Sequence, residues 1–66
     1  MRYQLIVFLS GRWTSQYGVG CWWDDVNYAY QKKQENEKDW PQYKFMIIEK
    51  EDKTSGPDLS KIDPPN

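Results

Sequence analysis

Histidine is absent from this chain of 66 residues and cysteine occurs once, at Cys21. Acid-base or nucleophilic catalysis would therefore rest on carboxylates, lysines, tyrosines or one thiol, and none of these stands in a recognisable constellation. A lone cysteine closes no internal disulfide, and a closed zinc site would lack both its imidazoles and its thiolates. The longest apolar run, "LIVFL" at residues 5 to 9, is too short for a membrane span and shorter than the core of a secretory signal. Charge of either sign is also scarce in the net: nine basic against ten acidic residues leave −1. That balance supplies neither the basic field of a duplex-DNA binder nor a polybasic membrane patch. These shortages predict a chain without catalysis, cofactor, metal or membrane span, in the cytoplasm, where an unpaired thiol stays reduced.

Aromatic residues, in contrast, are plentiful: four tryptophans, five tyrosines and two phenylalanines. Trp13, Tyr17, Trp22, Trp23, Tyr28 and Tyr30 crowd into one short stretch. A domain of this size hides only about 60% of the surface its unfolded chain exposes. The aromatics must therefore form most of the core, and whatever one chain leaves uncovered must be covered by another.

Several local signals set the elements. "RYQLIVFLSG" reads as a strand ending in a turn at Ser10-Gly11, with Tyr3, Leu5, Val7 and Leu9 on one face and Gln4, Ile6 and Phe8 on the other. Both faces call for cover, as in a central strand. Arg12 to Tyr17 suits the returning strand of a hairpin, and Gly18 and Gly20 then break the ladder. Asp24 is placed as the cap of a helix over about residues 25 to 38, with Asp25 in its first turn and Trp23 stapled onto Tyr28. Val26, Ala29 and Tyr30 give this helix an apolar stripe, while "QKKQENEKD" after them reads as polar all round. Pro41 ends the helix, with Trp40 packed at its exit. "QYKFMIIEKE" is a further strand, again apolar on both sides.

The fold class that follows is α+β: a three-stranded, mainly antiparallel sheet in β-β-α-β order, with one helix on one face. Residues 1–51 form a single small domain and 52–66, rich in proline and polar residues, a flexible tail on which Leu59 and Ile62 are the groups able to dock. One helix covers one face, so the pattern predicts a bare apolar face on the other side.

The candidate site residues are Arg12, Trp13, Gln16, Tyr17 and Trp22. Trp, Tyr and Arg are the types most enriched at the energetic centres of protein interfaces, and the same set can stack unpaired bases beside a cation. Two readings of Trp13 and Tyr17 stand side by side, core beneath the sheet and contact surface. Trp22 and Trp23 point in opposite directions in an extended chain, which makes Trp23 the core residue and Trp22 the surface anchor. The acidic residues are better explained as caps and helix-surface pairs, and "GVG" at 18–20 lacks the third glycine of a dinucleotide loop. The expected function is a non-enzymatic protein-binding module, self-associating as a homodimer, acting through the bare face and the Arg12 to Trp22 segment. The alternative is a single-stranded nucleic-acid binder. In size and architecture the chain resembles the small proteins with which phages and mobile elements inhibit host proteins, a resemblance that implies a host protein as partner.

Overall fold

The computed structural model describes residues 1–51, 57 and 59–65. Three strands, β1 (Arg2–Leu9), β2 (Arg12–Ser15) and β3 (Lys44–Lys50), form one antiparallel sheet in the order β2-β1-β3, and one helix, α1 (Val26–Asp39), joins β2 to β3. The α+β class and the β-β-α-β order follow from the sequence as expected. No helix among the described residues is long and apolar enough to cross a membrane.

The β1-β2 hairpin turns on two residues in the left-handed region, Ser10 at φ 52° and Gly11 at φ 83°, between the paired Leu9 and Arg12. Positive φ at both central positions is the turn whose twist matches that of the flanking strands. β3 pairs with the other edge of β1 over its whole length, from Arg2 opposite Lys50 to Phe8 opposite Lys44. α1 and its cap each start one residue later than expected. Asp25, extended at φ −103° and ψ 114°, caps it by accepting from the Asn27 amide at 2.8 Å. Asp24 instead pairs with Arg2, since the antiparallel bridge between Trp23 and Tyr3 lays this part of the chain beside the start of β1.

Register assigns the two faces of the sheet. Leu5, Val7 and Phe45 form the buried cluster on the helix side, with Leu9, Trp23 and Ile47 packed on it. Ala29 is the buried apolar contact of α1, whereas Tyr30 is exposed, contrary to the expected stripe. The helix faces the sheet along the line through positions 29 and 36, and one further residue turns the chain about 100° away, onto the rim.

The other face is not bare. Gln4, Ile6 and Phe8 of β1, Trp13 and Ser15 of β2, and Met46 and Ile48 of β3 share it; Ile6 is 0% and Trp13 7% exposed. Two segments supply the cover. Gln4 donates to the carbonyls of Val19 and Cys21 at 3.0 and 3.2 Å, which draws the loop after β2 across the face. A 3₁₀ turn at Leu59–Lys61 packs on β2, and the Trp13 indole N–H donates to the Asp63 carbonyl at 2.9 Å. Leu59, Ile62 and Pro64 stand beside Phe8 and Trp13. The expectation of an uncovered face thus fails because a few apolar residues in a proline-rich segment suffice to close it. Of the expected tail, 52–56, 58 and 66 lie outside the described residues.

Gly11 has nothing within 4 Å of the place a Cβ would occupy, so Gly11→Ala acts through its left-handed backbone alone and should cost about 1–2 kcal/mol, read as a lower urea midpoint with unchanged slope. The double substitution Leu59→Asp, Ile62→Asp should uncover Trp13. Acrylamide quenching of tryptophan emission should rise, and that rise should vanish in a Trp13→Phe background.

Candidate functional site

β2 ends at Ser15, but the chain keeps contact with β1: the Gln16 amide donates to the Leu5 carbonyl at 3.0 Å. Continued in register, the partner of Tyr3 would be Gly18; Trp23 stands there instead, exchanging both backbone hydrogen bonds with Tyr3 at 2.8 Å. Residues 18–22 are therefore looped out of the sheet. Their return delivers Trp23 onto the helix side, where its ring meets Tyr17 edge-on at 5.7 Å and Tyr28 at 5.4 Å. The expected staple of Trp23 on Tyr28 is present; Trp22 and Trp23 are both half-buried, and Trp23 is the one that packs on the core cluster.

Asn36 organises the flank of α1 that looks toward this loop. It is 6% exposed, in the middle of a run that reads as wholly polar. Its Oδ1 accepts from Gln16 Nε2 at 2.7 Å, and its Nδ2 donates to the Tyr17 hydroxyl at 2.8 Å and to the Lys32 carbonyl at 2.7 Å. Its backbone carbonyl accepts from the Trp40 amide at 2.8 Å, and the Trp40 carbonyl accepts from Tyr43 at 3.0 Å. Gln16 and Tyr17 are thus tied to the Asn36 side chain, and Trp40 and Tyr43 to the backbone turn that ends α1 at the same residue. The hydropathy pattern hides this residue, because an asparagine among charged residues counts as surface. Its spacing was the available signal: 36 lies seven residues from Ala29, two turns along the same line.

Between these groups lies a groove of about 230 Å³, lined by Val7, Leu9, Gln16, Trp40 and Tyr43. Trp40 is 47% and Tyr43 39% exposed, with ring centroids 6.2 Å apart; Tyr17, beyond Gln16, is 49% exposed. Further along the flank, Lys32 lies 5.4 Å from the Tyr28 ring centre, and the neighbouring Glu35 carboxylate, then Tyr28, hold its ammonium above the usual lysine pKa.

Four of the five expected site residues are split between two faces, and the fifth, half-buried Trp22, stays in the looped-out segment and lines neither the groove nor the cleft beside Arg12. Gln16 and Tyr17 belong to the groove side. Trp13 belongs to the opposite face, edge-on to Phe8 at 5.3 Å. Exposed Arg12 stands beside Trp13 at a separate cleft of about 400 Å³ that Val19 and Leu59 also line. The Thr14 and Ser15 hydroxyls there are turned inward, donating to the Val7 carbonyl and to Gln4 Oε1. Trp13 is thus core, the first of the two readings, and Tyr17 is surface.

No family model, curated protein or solved structure matches the chain. The site must be read from its own chemistry. Among the described residues no group of three or more Cys, Asp or Glu side chains is placed to hold a metal ion. What the groove offers is aliphatic floor, aromatic wall and one primary amide.

Asn36→Ala should cost about 1–3 kcal/mol by leaving the Gln16 side-chain amide and the Tyr17 hydroxyl without this partner. Asn36→Asp gives a pH signature. Burial raises the folded pKa of the new carboxyl above its unfolded value of about 3.9. The folded state then binds more protons than the unfolded, so stability should fall as pH rises from about 4 toward neutrality; thermal melts across that range check the sign.

Proposed function

We propose that this chain is a non-enzymatic module that binds another protein through the groove beside Trp40. The observation that carries this reading is the pairing of exposed aromatics with a fixed scaffold: Trp40, Tyr43 and Tyr17 reach the surface, Tyr17 and Gln16 held by the buried Asn36 side chain and Trp40 and Tyr43 by the backbone turn that ends α1. Rigid aromatic walls around an apolar floor are the usual make-up of an interface anchor site, and prior ordering lowers the entropic cost of association. Size supports a protruding side chain as the guest, since pockets for small molecules run from about 300 to 1,000 Å³, larger than this groove of about 230 Å³. An aliphatic or aromatic side chain on a partner helix or loop fits, with Gln16 offering a hydrogen bond to its backbone. The half-buried single thiol at Cys21 suits a reducing compartment such as the cytoplasm.

The nucleic-acid reading, which stacks bases on Trp13 and Tyr17 beside Arg12, is less favoured because Trp13 is buried with its N–H bonded within the chain, while Tyr17 lies on the other side of the sheet.

Peptides selected from a displayed library on the immobilised chain should carry a large apolar anchor. Trp40→Ala, Tyr43→Ala should weaken the selected peptides by about 30-fold or more, the loss of about 2 kcal/mol expected at an interface centre. Circular dichroism should stay unchanged. Binders indifferent to that double variant would overturn the groove as the site.

A further inference from the structure

The sheet order β2-β1-β3 leaves two outer edges, and the fold treats them differently. The β2 edge is four residues long, bounded by the looped-out segment and packed by the Leu59–Lys61 turn. The β3 edge is seven residues long and is paired with β1 without interruption, so it carries no bulge. It contains no proline. Among the described residues, Lys44 to Glu49 make no backbone hydrogen bond beyond the ladder to β1. A long, regular edge with Phe45, Met46, Ile47 and Ile48 in its middle is the kind that soluble proteins shorten, bend or cover unless it is used.

We propose that β3 pairs, antiparallel and about a two-fold axis, with β3 of a second copy of this chain, joining two sheets into one. The sequence of the strand favours its own copy as occupant. A two-fold antiparallel pair sets one residue opposite itself and keeps each side chain on the same face as its partner. Centred on Ile47, the pair would oppose Lys44 to Lys50, a like-charge contact that weakens a ladder. Centred on Ile48, it would spend Ile47 against Glu49. Centred on Met46, it places Phe45 opposite Ile47 twice on the helix side and lays the Lys44 stem along Ile48 on the other, with no like charges facing. The net charge of −1 adds little repulsion between copies. This interface goes beyond the groove reading and does not rest on it: the groove lies over β1, the end of β2 and the helix exit, and reaches the start of β3 only at Tyr43.

Sedimentation of the full chain across a concentration series should give a dimer. In a Cys21→Ser background, Met46→Cys should form a disulfide-linked dimer under mild oxidation, while Ile47→Cys and Ile48→Cys should not. Met46→Lys, which sets two ammonium groups on the axis, should sediment as a folded monomer. A chain that stays monomeric up to about 1 mM, the weak limit of specific association, overturns the proposal, as does a dimer that Met46→Cys fails to link. Trp40→Ala alone, which touches the groove and lies outside the β3 ladder, should leave the dimer intact, which separates failure of this interface from failure of the groove.

Discussion

The middle of β1 is apolar on both sides, and every other part of the molecule is arranged to cover it. Leu5, Ile6 and Val7 are all buried although the chain is small. Such a strand is stable only between two layers. α1 with Trp23 provides one layer, and the loop after β2 with the Leu59–Lys61 segment provides the other. The second layer joins a few apolar side chains to loop backbone, and polar anchors hold it as well as apolar contact.

Two buried amides provide those anchors. Gln4 sits in the apolar row of β1 but accepts from Ser15 and donates to the carbonyls of Val19 and Cys21, holding the loop to one face. Asn36 does the corresponding work on the helix side through Gln16 and Tyr17. The segment between β2 and α1 is thus pinned on both faces of the sheet, and among the described residues no buried side-chain nitrogen or oxygen lacks a partner. A buried polar group costs little when fully bonded and much when not, so each amide fixes one loop position and penalises the alternatives.

Those two residues mark the limit of what the sequence made legible. Strand alternation located β1 and β3, the Ser10-Gly11 pair located the hairpin, and the Trp23-to-Tyr28 spacing located the helix start, because each rests on contacts between near neighbours. The cover of the second face rests on contacts between distant ones. Trp13 meets Asp63 across 50 positions, and nothing local in a proline-rich stretch announces that its Leu59 and Ile62 will dock. The candidate site was half visible. Gln16 and Tyr17 stood out by residue type, whereas Trp40 and Tyr43 entered only once Asn36 joined the helix exit to the loop. Asp24 carried the expected cap, but the bridge of Trp23 to Tyr3 gave it to Arg2 and left the cap to Asp25.

The detour at residues 18–22 separates the contour of the chain from the architecture of the sheet. Trp23 rejoins β1 at the position a continuous strand would have filled, so the ladder does not count how many residues were spent on the way. Gly18 and Gly20 have open space around them, and the clasp of Gln4 grips only main-chain oxygens. Side-chain identity can therefore drift at 19 and 20 while Gly18, at φ 109°, keeps its glycine and Trp23 its seat, making this excursion the natural place for related chains to diverge.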